Sequence, residues 1–424
     1  METNAFETIR RIVLNRIENE RLDPETDYDA VVEAVSDAVQ WYQQNAHLQG
    51  LSELRSPQHM GDRLLLSITS YGALSDLLHR DDIEEIFIEG ERVIHLDSTG
   101  RLRGLTKPTS ERENRHVIDR LLSMTERHLD VQNPIVQARV FGGAARLTAS
   151  IPPVSDVLSA TIRKYTVRRE NLLFLMQAGS LPEEAAGFLW AVAQTTSSFL
   201  FSGPPGSGKT TALRSVLAAV PAHRCIRACE EIRELAVPVT LGAFYEARPP
   251  ALDGSSEITL RDLVKFVLGM RPDLIVVGEV RGAEAFELTR AVNAGCGFAC
   301  TIHANSALEA LDALVNAAIM AGENVSENIV RRVFQSSVDY VIHLDRDEVY
   351  DIERGMRRQV LEIVNVKSSA VGDRFEVDPI FVRSTVGAPM EWSGVLPAQV
   401  EQIDRALPHG MTVRGILEGR DKPL

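Results

Sequence analysis

The chain has 424 residues, 44% of them hydrophobic and 25% charged, with a formal net charge of −14. That length exceeds what one core usually organises, so two or three domains are expected, and the acidic balance argues against generic nucleic-acid binding. No run approaches the ~18 apolar residues of a membrane span, and Met1-Glu2-Thr3-Asn4 opens an acidic amphipathic segment rather than a signal peptide, so a cytoplasmic location is expected.

Residues 1–55 predict a helical extension. Phe6, Ile9, Val13 and Ile17 keep helical spacing, Asp23-Pro24 breaks it, and Val31, Val32, Val35, Ala38, Val39 and Tyr42 resume it. Residues 56–166 predict a small α+β domain. It opens with a helix, then strands at 83–89 and 93–97 flank Gly90-Glu91-Arg92. A capping box at Ser110 and Glu113 starts a helix running to about Arg127, and two further strands flank Gly142-Gly143. Residues 101–169 hold 13 Lys and Arg against 6 Asp and Glu, a basic island that reads as solvated surface, a nucleic-acid face, or a face for anions or an acidic neighbour subunit.

Residues 167–180 read as a linker, and Ser180-Leu181-Pro182-Glu183 as a second capping box starting the next helix. From 181 to 345 strands and helices alternate, the pattern of a parallel sheet covered on both faces, with strands expected at 197–202, 223–228, 240–247, 273–279, 297–302 and 338–343. Residues 346–424 read as a β-rich and helical tail with a hairpin of 359–366 and 375–382 around Val371-Gly372-Asp373. Cys225, Cys229, Cys296 and Cys300 lack metal-ligand spacing and read as buried structural thiols.

The segment Gly203-Pro204-Pro205-Gly206-Ser207-Gly208-Lys209-Thr210 fits the phosphate-cradling pattern G-x-x-x-x-G-K-[ST], with an apolar strand before it and an amphipathic helix after it. Glycines let successive amides turn toward a β-phosphate, and the helix start adds positive potential. A nucleotide is therefore the expected ligand. Lys209 is placed to bridge β- and γ-phosphates, the Thr210 hydroxyl to hold Mg²⁺, and Thr211 to cap the helix or touch the α-phosphate. The apolar strand ending in Glu279 would bring a carboxylate to the same sheet edge, where it can orient the attacking water or support the metal through water. Glu230-Glu231 and His303 follow other predicted strands, which makes Glu231 and His303 further catalytic candidates.

The order phosphate loop, Glu230-Glu231, Arg248-Pro249-Pro250, Ile258-Thr259-Leu260-Arg261-Asp262, Met270-Arg271-Pro272-Asp273, Gly278-Glu279-Val280-Arg281-Gly282 and Thr301-Ile302-His303-Ala304-Asn305 resembles the type II/type IV secretion ATPase superfamily. Within it the chain is most similar to the tight-adherence (CpaF-like) pilus assembly ATPases. The resemblance implies a RecA-like P-loop ATPase core behind the α+β domain, assembled as a homo-hexamer that meets the membrane only through an inner-membrane platform protein. It also implies that ATP lies between the two domains and that Arg139, Arg146 and Arg163 reach its phosphates. Two departures stand out: Glu230-Glu231 replaces the usual Glu-Asp, and Gly295-Cys296-Gly297 replaces Gly-His-Asp-Gly. A nucleic-acid translocase on the same core and a non-hydrolysing nucleotide sensor are the alternative readings.

Overall fold

The computed structural model describes the chain except residues 1, 23, 25, 26, 48–50, 106, 107, 126, 166–169, 236, 249, 251–255, 323, 348–355 and 369–373; the side chains of 2–4 also lie outside the description. The turn expected at 371–373 and part of the expected linker fall outside these residues. The described chain forms two compact units, one over residues 1–166 and the other over 167–351 and 356–424.

The first unit opens with α1 (Glu2–Glu20), α2 (Tyr28–Asn45) and α3 (Pro57–Thr69). Phe6, Ile9 and Val13 of α1, Val31 and Val35 of α2, and Leu64 and Ile68 of α3 share one apolar core, as their 3.6-residue periodicity requires. The short α4 (Ser75–His79) leads into an antiparallel sheet of β1 (Ile83–Glu89), β2 (Arg92–Asp97), β3 (Leu102–Gly104), β4 (Ile135–Val140), β5 (Ala145–Ser150) and β6 (Ser159–Lys164), in the order β3-β2-β1-β6-β5-β4. Helix α5 (Glu111–Ser123) packs Val117, Ile118 and Leu121 in the core of this sheet. It starts at the predicted Ser110–Glu113 capping box but ends four residues before Arg127. Thr125 supplies a reason, because its hydroxyl donates to Leu122 O at 2.7 Å and competes with continued helix.

Glu113 does two jobs. Besides closing the capping box it receives Arg63 of α3 in a two-pronged pair, which ties the helical bundle to α5.

The second unit begins with α6 (Leu172–Gln177) and α7 (Glu183–Ala193). Part of the expected linker is thus helical, capped by Asn171 accepting from Phe174 N at 3.0 Å. The second capping box does not form. Pro182 occupies the N-cap of α7 with extended backbone and no side-chain cap, while the Ser180 carbonyl accepts from Val360 N and from Arg383.

Then follow β7 (Phe199–Ser202), α8 (Lys209–Leu217), β8 (Cys225–Glu230), β9 (Leu241–Glu246), α9 (Leu260–Leu268), β10 (Leu274–Val277), α10 (Glu284–Asn293), β11 (Gly297–Ile302), α11 (Ala307–Ile319), α12 (Glu327–Ser337), β12 (Tyr340–Arg346), β13 (Arg358–Val366), β14 (Val377–Val382), β15 (Glu391–Trp392), α13 (Val400–Ala406) and α14 (Val413–Leu417). The nine strands form one sheet in the order β15-β14-β13-β12-β7-β11-β10-β8-β9. β12 through β9 run parallel, and β13, β14 and β15 extend the sheet antiparallel.

Each face of this sheet has its own core. α7 and α8 pack with Phe199, Phe201, Ile342 and Leu344 on one face, and α9 to α12 pack with Leu200, Ile275, Val277 and Cys300 on the other. Strands covered on both faces read as continuous apolar runs, which is why Phe199–Ser202 and Leu274–Val277 are buried at every position. All four cysteines are unpaired thiols, and burial pushes those of Cys229 and Cys296 up to about 12, so they stay protonated and serve as packing groups. Among the described residues no helix is long and apolar enough to cross a membrane.

Candidate active site

Parallel strands deliver their carboxyl ends to one edge, and the segments after β7, β8, β10 and β11 gather there. The segment after β7 turns back on itself through Gly203, Gly206 and Gly208, with φ of 150°, 73° and 92°. A β-carbon on Gly203 would collide with the Leu344 carbonyl oxygen and stand 2.7 Å from Ser207 Oγ, so only glycine fits there. Ser207 is fully buried and its hydroxyl has no hydrogen-bond partner. Such an orphaned oxygen inside a loop of inward-turned amides suits a polyphosphate ligand, which brings acceptors to both.

Lys209 opens α8 at 7% exposure. Its ammonium donates to Gly203 O at 2.9 Å and Pro204 O at 3.0 Å, and faces His303 Nδ1 at 3.2 Å. His303 follows β11, and its Nε2 lies against Oε1 of Glu279, the carboxylate that follows β10. The second Glu279 oxygen accepts from Arg281 at 2.7 Å, and Arg281 reaches Glu231 at 3.3 Å. The structure therefore brings Lys209, His303, Glu279 and Glu231 into one chain of polar contacts, with Arg281 as the link that sequence reasoning had not singled out. Its signal was present, since Arg281 stands two residues after Glu279 in the Gly278–Gly282 motif.

Glu230 and Glu231 take opposite environments. Glu231 is exposed, whereas Glu230 is 3% exposed and accepts from the amides of Glu234 and Leu235 at 3.0 and 3.1 Å. Burial pushes the Glu230 carboxyl up to about 7 despite those amides. A β-carbon on Gly278 would come within 2.9 Å of Glu230 Cγ, so the glycine before Glu279 leaves room for this buried acid. Thr210 and Thr211 begin α8 beside Lys209; the Thr211 carbonyl accepts from Ser215 Oγ at 2.8 Å.

The three arginines expected to reach phosphates lie in the first unit. Arg139 pairs with Arg146 between β4 and β5, and Arg146 with Arg163 between β5 and β6, so the three stand side by side in a row across the sheet. Arg163 continues the row to Glu85 at 3.8 Å, Arg146 donates to Gln137 at 2.9 Å, and Arg139 donates to Gly143 O at 2.8 Å. Like charges directly opposite on paired strands repel one another. The sequence alone could not supply this register.

The hydroxyl of Thr210 and the carboxylate of Glu279 are hard oxygen donors of the kind Mg²⁺ prefers, and no cluster of three or more His, Cys, Asp or Glu exists among the described residues to hold a metal without a ligand's help.

A family model described as type II/IV secretion system protein matches residues 67–369. A putative conjugal transfer protein of Mycobacterium tuberculosis is 31% identical over 314 residues, covering 72% of this chain and 87% of that one. The type IV secretion system protein VirB11 of Bartonella henselae is 25% identical over 328 residues, 68% of this chain and 91% of that one. Among solved structures, the ATPase DotB of Yersinia pseudotuberculosis superposes with a TM-score of 0.51 at 15% identity, covering 72% of this chain and 79% of that one. That likeness is one of fold, a RecA-like P-loop core preceded by an α+β domain.

Proposed function

The chain belongs to the type II/IV secretion system protein family, and we propose that it is an ATP-hydrolysing motor of the tight-adherence type, a hexameric ring at the inner face of the cell membrane that drives pilus assembly or protein secretion through an inner-membrane platform protein. The observation that carries this reading is the contact chain Lys209–His303–Glu279, drawn from three different strand ends to the mouth of one phosphate loop.

The chemistry is phosphoryl transfer to water, in which positioning and charge neutralisation do most of the catalysis. Lys209 now holds two loop carbonyls, and it exchanges them for β- and γ-phosphate oxygens when ATP enters the loop. Glu279 accepts a hydrogen of the attacking water and aims its oxygen at the γ-phosphorus. His303 and Arg281 fix the Glu279 carboxylate from two sides. Thr210, and Glu279 through water, would hold Mg²⁺, whose chemistry there would be to neutralise phosphate charge. The arginine row of the first unit supports a further role for Arg139, Arg146 and Arg163 on the same phosphates.

Two variants test the reading by steady-state turnover and nucleotide titration. Lys209→Ala should abolish Mg²⁺-dependent ATP hydrolysis, and Glu279→Gln should bind ATP while losing turnover. Wild-type turnover in Glu279→Gln would remove Glu279 from the proposed role, and a wild-type protein that binds no ATP would end the motor reading.

A further inference from the structure

Two arginines stand on the opposite side of the phosphate loop. One face of β12 carries Tyr340, Ile342 and Leu344, each at most 1% exposed, in the same core as Ala212 and Leu213 of α8. The next residue in that period-2 row is Arg346. β13 repeats the pattern: Val360 pairs with Leu344 and belongs to the same core, and its row neighbour Arg358 pairs with Arg346. Two arginines therefore stand directly opposite each other where an apolar row leaves the core on the α8 side.

Their surroundings locate this pair on the loop. A β-carbon on Gly206 would stand 3.1 Å from Arg346 Nη1, and one on Gly208 would stand 4.0 Å from Arg358 Cδ. Arg346 and Arg358 are both half-buried, which strengthens the repulsion between opposed like charges. Arg346 Nη1 meets the Met356 sulfur at 3.6 Å, a weak acceptor that leaves its charge in place. Asp347 pairs with Arg357 at 3.0 Å, and Asp345 Oδ1 accepts the Arg346 amide at 2.8 Å.

We propose that Arg346 and Arg358 form a second cationic lip of the phosphate loop and bind the α- and β-phosphates of a nucleoside di- or triphosphate; this rests on the motor reading above. Sheet order selects those phosphates. His303 and Glu279 arrive from β11 and β10 on one side of β7, which places the γ-phosphate end there. β12 and β13 lie on the other side, facing the part of the polyphosphate that is not transferred. A group that binds the retained phosphates equally before and during transfer changes affinity and leaves the chemical step alone.

The test uses the full chain with Arg346→Gln, Arg358→Gln and the double variant, and reads ADP and pyrophosphate Kd, ATP KM and kcat, and Tm with and without ADP. ADP Kd, pyrophosphate Kd and ATP KM should rise together by roughly tenfold or more per arginine, with kcat at saturating ATP within about twofold. Arg346→Lys should recover part of the loss. ADP should raise the Tm of the Gln variants less than that of wild type, because ligand stabilisation follows affinity. Unchanged ADP Kd overturns the proposal, as does a fall in kcat at constant KM. Weaker ATP and ADP binding with unchanged pyrophosphate binding also overturns it, since neither arginine would then reach the β-phosphate. Loss of ATP binding by wild type would count against the motor reading instead.

Discussion

The Lys209 ammonium and His303 Nδ1 face each other at 3.2 Å, and that contact fixes the histidine's tautomer. An ammonium has only donors, so Nδ1 must be the acceptor and the ring proton sits on Nε2, against the Glu279 carboxylate. The imidazole thus links the Lys209 ammonium to the Glu279 carboxylate.

Replacing His303 with Ala should therefore leave ATP affinity within a few-fold of wild type and lower kcat by roughly 10- to 100-fold, the cost typical of removing a group that orients another. Single-turnover hydrolysis measured beside an ATP titration checks this. A kcat unchanged by His303→Ala would mean that the contact is structural only.

Glu230 should make stability depend on pH. Its folded-state value of about 7 lies above the ordinary 4.5, so the folded protein holds a proton that the unfolded chain releases between these values. The linked contribution to stability is present below pH 4.5 and is lost as pH rises to 7, costing roughly 3 kcal/mol above that. Glu230→Gln keeps an oxygen for the Glu234 and Leu235 amides but cannot ionise. Its Tm should exceed that of wild type at pH 8 and approach it near pH 5; equal Tm profiles across that range would contradict the assignment.

Gly203→Ala should be among the most damaging single-methyl changes in the second unit. The added carbon meets the Leu344 carbonyl and Ser207 Oγ, both within fixed backbone or buried loop, and φ of 150° is unfavourable for alanine. A loss of about 2 kcal/mol or more and failure to bind nucleotide are expected, read by thermal melting and ADP titration. Gly142→Ala serves as the contrast, because its β-carbon would meet open space and only the φ of 61° opposes it.

Charge reversal in the arginine row, with Arg146→Glu as the central member, should relieve repulsion within the sheet and leave the first unit folded. Turnover should nevertheless fall by at least tenfold if the row serves phosphates in a ring of six. Sedimentation of the active wild type as a strict monomer would defeat the ring.

Added DNA should leave turnover unchanged at moderate salt, because a net charge of −14 repels a phosphate backbone over most of the surface. A cytoplasmic fragment of a membrane platform protein should stimulate it. Stimulation by DNA that fades as salt rises would favour a translocase.

The parallel sheet was readable because its strands are short apolar runs between helical patterns, and the strands seen at Phe199–Ser202, Leu274–Val277 and Gly297–Ile302 lie within the expected segments. Helix α6 was not, since Leu172–Gln177 is too short for a period to register. Ser180 carries the letters of a capping box, yet its carbonyl is claimed by β13 and Arg383, partners far away in sequence. The same limit applies to the site. Lys209, Glu279 and His303 are marked by local motifs, whereas the burial of Glu230 rather than Glu231, the Arg139–Arg146–Arg163 row and the opposed Arg346 and Arg358 depend on strand register, which no local pattern carries.

The place of β7 in its sheet also bears on how the protein is made. Both strands that flank it, Gly297–Ile302 and Tyr340–Arg346, are synthesised roughly a hundred residues or more after the phosphate loop itself. A nascent chain that has just exposed Lys209 has neither neighbour, no Leu344 carbonyl to hold Gly203 and no His303 to meet the ammonium. Such long-range pairing folds late and leaves apolar strand edges open in the meantime. Prematurely terminated chains should consequently bind no ATP.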